Sequence, residues 1–130
     1  MKLLYVDKAG LSTLTRAQML ADQHKLDVEP VTTYEAFTEK YAKGVYHAVI
    51  IDFTVEAGQK ALELIDRIDP KQRVITISAT ESYSEPHGCT YCAGHHNRRR
   101  LKEPFPLSDL AGLIRDFDFV GCVYYREENS

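Results

Sequence analysis

No apolar run in this 130-residue chain approaches the roughly 20 residues that a membrane-spanning helix needs. The N-terminus, Met1-Lys2-Leu3-Leu4-Tyr5-Val6-Asp7, lacks the long apolar stretch of a signal peptide and enters a strand-like run at once. A cytoplasmic protein without a membrane partner is the expectation. Cysteine is scarce: there are three, an odd number, and Cys89 and Cys92 lie close together. That argues against a disulfide framework and for thiol or metal chemistry. Neither sign of charge dominates, with 16 Lys and Arg against 19 Asp and Glu for a net charge of -3. Such a balance argues against a dedicated nucleic-acid binder. Internal repeats and low-complexity linkers are also missing. What is present suits one ordinary domain: 44% hydrophobic residues for a core and 27% charged residues for a soluble surface.

The apolar residues fall into short runs separated by amphipathic stretches. Leu3 to Val6 reads as a strand. Ser12 or Thr13 can cap a helix running to about His24. Leu26 to Thr33 reads as a strand interrupted by Pro30, which places it at a sheet edge. Thr33 can cap a second helix from Tyr34 to about Lys43, ended by Gly44. Ala48 to Phe53 is the most apolar strand, Ala57 to Asp69 a helix, and Arg73 to Ala79 a strand. A Gly-, Cys- and His-rich stretch follows. A short strand near Arg100 to Lys102 and a helix from Leu107 to Phe119 complete the pattern. Near-continuous apolar strands alternating with amphipathic helices predict an α/β fold: a doubly wound parallel sheet covered on both faces.

Val49-Ile50-Ile51-Asp52-Phe53 carries the sharpest chemical signal. A carboxylate at the end of a buried strand is costly unless a cation, metal or ligand compensates it. Leu3-Leu4-Tyr5-Val6 also ends in a carboxylate, Asp7. Two strands delivering Asp to one end of a sheet make a site for a cation or a phosphoryl group. The plain alternative is an Asp that caps the helix after each strand.

These residues resemble those of response-regulator receiver domains, the CheY-like fold. The resemblance covers roughly residues 1–118, which makes 1–119 a receiver-like domain and 120–130 a C-terminal tail. It implies five parallel strands in the order 2-1-3-4-5, as in flavodoxin, with the second strand at an edge. It places Asp52 at the phosphoacceptor position and Asp7 at the first of two acidic positions that hold Mg²⁺. Ser78 falls at the switch hydroxyl, and Pro104-Phe105 at the pair that follows a Lys. The sequence departs from the pattern twice. Lys8 stands at the second acidic position. In Leu101-Lys102-Glu103-Pro104-Phe105, either Glu103 occupies the place of the Lys or Lys102 does so with one residue inserted. An ammonium beside the carboxylates opposes Mg²⁺. An internal ion network of Lys8 with Asp52, Glu103 or both would then stand in for the Mg²⁺ and Lys arrangement.

A second constellation is Pro86-His87-Gly88-Cys89-Thr90-Tyr91-Cys92-Ala93-Gly94-His95-His96. Gly88 and Gly94 are poor helix residues, so an irregular segment is expected where receivers carry a fourth helix. Cys89 and Cys92 can share one metal. His95, with His87 or His96, would complete a tetrahedral Zn²⁺ site. A redox dithiol and a plain polar loop are the other readings. Arg98-Arg99-Arg100 follows, and is expected to be a solvated edge rather than a nucleic-acid contact.

The resemblance implies a stand-alone, atypical receiver in two-component phosphorelay signalling. It would be a protein-interaction switch rather than an enzyme. Its partners would be a histidine kinase or another signalling protein, with a homodimer face across residues 87–118. The alternative from another class is a small flavin/redox or metal-binding protein on a flavodoxin-like fold. There the hydroxyls of the Gly10-to-Thr15 loop would hold a phosphate. A zinc-dependent nucleic-acid adaptor using Arg98 to Arg100 is a third.

Overall fold

The computed structural model describes residues 2–78, 97–103 and 105–115. Within them the chain runs β1 (Lys2–Val6), α1 (Leu11–His24), β2 (Asp27–Val31), α2 (Tyr34–Lys40), β3 (Ala48–Asp52), α3 (Glu56–Ile68), β4 (Val74–Ser78), β5 (Arg98–Lys102) and α4 (Leu107–Arg115). The strands form one parallel sheet in the order β2-β1-β3-β4-β5. That is the predicted doubly wound order, with β2 and its Pro30 at an edge.

Side-chain alternation divides the core into two layers. Leu3, Tyr5, Ile50, Ile75, Ile77 and Leu101 face α1 and α4, where Leu20, Leu110 and Ile114 meet them. Leu4, Val6, Val49, Ile51 and Val74 face α2 and α3, against Phe37, Leu62 and Ile65. Every residue of β3 and β4 is buried. This is why both strands read as mostly apolar runs, β4 broken only by Thr76, that end in a polar residue, Asp52 and Ser78. Each fully buried Leu or Ile stabilises the fold by about 1.5–3 kcal/mol.

Three local expectations change. Helix α1 starts at Leu11 after Gly10, whose φ of 151° favours a residue without a Cβ. Thr13 is not its cap: its hydroxyl donates to the Lys8 carbonyl at 2.7 Å and pins the loop after β1. Helix α2 stops at Lys40, short of Lys43, because Tyr41 leaves the helix in an extended conformation. Its ring packs between Phe37 and Tyr46, with centroids 5.2 and 6.1 Å away, and its hydroxyl donates to Gln72 Oε1 at 2.9 Å.

The third correction concerns the arginine run. It is not a solvated edge: β5 begins at Arg98, and Arg98 and Arg100 are 1% and 7% exposed. Burying a guanidinium requires partners. Arg98 donates to Asp66 Oδ1 of α3 at 2.7 Å and also to the Gln72 and Asn97 carbonyls.

The Cys–His segment lies outside the described residues, and with it Cys89, Cys92, His87, His95 and His96. The same holds for Pro104, the tail at 120–130 and, within the predicted 87–118 face, residues 87–96 and 116–118.

Candidate functional site

Strand order reverses between β1 and β3, and in open α/β sheets the crevice at such a point, beyond the strand carboxyl ends, is the usual ligand site. Val6 pairs with Ile51, so the next residues, Asp7 and Asp52, emerge side by side there. Around them is a cavity of about 300 Å³ lined by Tyr5, Asp7, Lys8, Ser12, Arg16, Asp52, Thr54 and Glu103. Both aspartates are nearly closed off from solvent, at 5% and 7% exposure.

Each carboxylate is held by its neighbours. Thr54 donates to Asp52 Oδ1 through its backbone N–H at 2.9 Å and its hydroxyl at 2.6 Å, and neither bond engages Oδ2. Helix α3 crosses close behind: a Cβ on Gly58 would stand 2.2 Å from the Asp52 carbonyl oxygen, so only glycine allows this approach. Asp7 Oδ1 accepts from the Lys8 backbone N–H at 2.6 Å, and Oδ2 accepts a short hydrogen bond from the Tyr5 hydroxyl. Burial pushes the Asp7 carboxyl above its ordinary value, and the Asp52 charge adds to that push. The two hydrogen bonds on Asp7 pull the other way without cancelling it.

Arg16 brings a cation to these groups. Its Nη1 donates to the Tyr5 hydroxyl at 3.1 Å, and its Nη2 lies 3.7 Å from Glu103 Oε2. The guanidinium sits 5.2 Å over the Phe105 ring. Burial works against the Arg16 charge, but Tyr5, Glu103 and Asp7 together raise its pKa, so it stays cationic.

The predicted residues separate accordingly. Asp7, Asp52, Lys8 and Glu103 share the cavity. Lys8 is exposed, and among the described residues the ion pair to Glu103 comes from Arg16 instead. Glu103 rather than Lys102 faces the site. Lys102 is exposed, pairs in register with Ser78 and is absent from the described lining. Ser78 is fully buried at the end of β4, beside the Asp52 strand, and does not line the cavity. Tyr5, Arg16 and Thr54 were not predicted. Tyr5 shares the Asp7 side of β1 by alternation, and Arg16 follows Ser12 at the i, i+4 spacing that puts both on one helix face.

The resemblance implied Mg²⁺ at Asp7 and Asp52. Magnesium asks for hard, available oxygens in octahedral geometry. Here both Asp7 oxygens and Asp52 Oδ1 already accept hydrogen bonds, and Lys8 and Arg16 line the same space. No group of three His, Cys, Asp or Glu placed to hold a metal occurs among the described residues. This donor set does not fit a resident Mg²⁺.

No family model matches the chain, and no curated protein does. Solved structures do. The response-regulator receiver domain (CheY-like) from Methanospirillum hungatei JF-1 superposes with a TM-score of 0.68 at 14% identity, covering 100% of this chain and 99% of that one. The BeF3-activated DrrB receiver domain gives 0.65 at 22%, covering 89% and 95%. An adenylate cyclase structure from Rhodopirellula baltica gives 0.70 at 15%, covering 90% and 86%. At such identities the likeness establishes the fold: this chain has the CheY-like receiver fold. No helix among the described residues is long and apolar enough to cross a membrane.

Proposed function

We propose that this chain is an atypical receiver domain of two-component signal transduction, with Asp52 as its phosphoacceptor, and that it acts as a protein-interaction switch. The observation that carries the reading is the meeting of Asp52 and Asp7 in a cavity at the β1/β3 switch point, on a fold shared with receiver domains. Thr54 fixes one oxygen of Asp52, which leaves Oδ2 as the nucleophile. The resemblance gives the role of switch hydroxyl to Ser78, at the end of β4 beside the Asp52 strand.

An apolar groove of about 490 Å³ supports the interaction role. Leu11, Ser12, Thr15, Arg16, Met19, Phe105 and Leu107 line it, so it shares Ser12 and Arg16 with the carboxylate cavity. A charge change at Asp52 that moves Arg16 therefore reshapes the surface offered to a histidine kinase or another signalling protein.

Incubation with a low-molecular-weight acyl phosphate in excess Mg²⁺, read by intact-protein mass spectrometry, tests this. The expected outcome is one added phosphoryl group on the wild type and none on Asp52→Asn. Equal labelling of both, or of neither, refutes the assignment.

A further inference from the structure

Placing a phosphoryl group on Asp52 raises a question of charge. Among the described residues the cavity holds three carboxylates, Asp7, Asp52 and Glu103, against two cations, Lys8 and Arg16. Phosphorylation replaces the single Asp52 charge by up to about two on the phosphoryl oxygens at neutral pH. Something must neutralise them, and the carboxylate pair does not fit the divalent metal that would do so.

Arg16 is built for that task. It projects from the first turns of α1 into the cavity and is held there from two sides. The Tyr5 hydroxyl takes Nη1 at 3.1 Å, and the Phe105 ring lies under the guanidinium at 5.2 Å. The contact to Glu103 is loose, since 3.7 Å is beyond hydrogen-bond distance. A guanidinium carries five N–H donors in a planar fork that matches phosphoryl oxygens two at a time. A phosphoryl group can therefore take Arg16 donors from a weak ion pair, while the Tyr5 bond keeps the side chain in place. Lys8 at the rim adds a second, more mobile charge.

We infer that Arg16 is the cation that binds the phosphoryl group on Asp52, so that this site loads and holds a phosphoryl group without a divalent metal. The inference rests on Asp52 being the phosphoacceptor. With an acyl phosphate as donor, Asp52 Oδ2 attacks phosphorus and forms the new O–P bond. The P–O bond to the acyl group breaks, and the leaving carboxylate departs with the electron pair. No proton is transferred, and Arg16 takes up the charge that Mg²⁺ otherwise would.

Beryllofluoride, which stands in for the phosphoryl group, separates the outcomes by ¹⁹F NMR of the bound adduct on the full chain. Wild type in EDTA is expected to form the adduct, with an affinity that added Mg²⁺ changes little. Arg16→Met is expected to weaken it roughly tenfold or more, as loss of a charge-assisted hydrogen bond predicts. Arg16→Lys, which keeps a cation but not the fork, should recover part of the loss. Adduct formation by wild type only when Mg²⁺ is added overturns the inference and leaves Asp52 as phosphoacceptor. Undiminished binding by Arg16→Met in EDTA overturns it as well. No adduct in either condition removes the Asp52 assignment and this inference with it. The wild-type comparison does not depend on any variant folding.

Discussion

Tyr41 is buried with its hydroxyl on Gln72, and burial, then the Asp69 charge, push that phenol from 10.0 up to about 12 while Arg98 pulls it down. A folded-state pKa above the unfolded value means the neutral form is the one folding favours. The resulting stability is fully present below pH 10 and is lost as pH rises from 10.0 towards about 12. Tyr5 and Tyr46 shift in the same direction, burial being the main cause for each. Denaturant midpoints measured from pH 8 to 12 should therefore fall steeply for the wild type and less steeply for Tyr41→Phe. At neutral pH the variant should be less stable by about 0.5–1.5 kcal/mol, the worth of its lost hydrogen bond. An unchanged alkaline slope would place the shift on another tyrosine. The same residue explains the early end of α2. A side chain with two ring neighbours and a buried acceptor outweighs the few tenths of a kcal/mol that another helical residue would add.

Helix α3 gives the clearest case of one element positioning another. It lies so close to the end of β3 that Gly58 has no room for a methyl group, with the Asp52 carbonyl oxygen and Ile51 Cγ2 at 2.2 and 2.8 Å from an added Cβ. Backbone cannot yield as a flexible side chain does. Gly58→Ala should then cost about 1–3 kcal/mol despite its better helix propensity, as overpacking elsewhere does. Urea unfolding checks this; a stabilised variant would show that α3 moves freely against β3. The elements themselves were largely legible, because strands buried on both faces and one-sided helices write their periods into the chain. Asp7 and Asp52 were legible for the same reason, as polar residues ending apolar runs. Arg16 was not. Which face of α1 meets the cavity depends on where the helix starts, and Gly10 rather than Ser12 or Thr13 sets that point. Nor was the choice between Lys102 and Glu103, since it depends on the register of β5 against β4. Arg98 looked like surface because its partners, Asp66 and Gln72, lie 32 and 26 residues away in the chain.

At the scale of the whole molecule, two cores share one sheet. Leu20 belongs to the layer under α1 and α4, Ile65 to the layer under α2 and α3, and both are fully buried. Since the strands contribute to both layers, neither core can melt alone. Leu20→Ala and Ile65→Ala should each cost about 2–5 kcal/mol. Each should also shift a single transition that coincides by far-UV circular dichroism and tyrosine fluorescence. Separate transitions for the two probes would mean independent units. The edge strand β2 carries one more consequence. The Val31 carbonyl accepts from the Asp7 N–H, so Val31 and its alternate neighbours turn their backbone groups toward β1. Pro30 then falls on the opposite phase, where its backbone nitrogen faces the open side of the sheet. A residue without an N–H, flanked by Glu29 and near Asp27, leaves a second copy little to zip onto. Addition of a further strand at this edge is thereby disfavoured, a protection set by one ring.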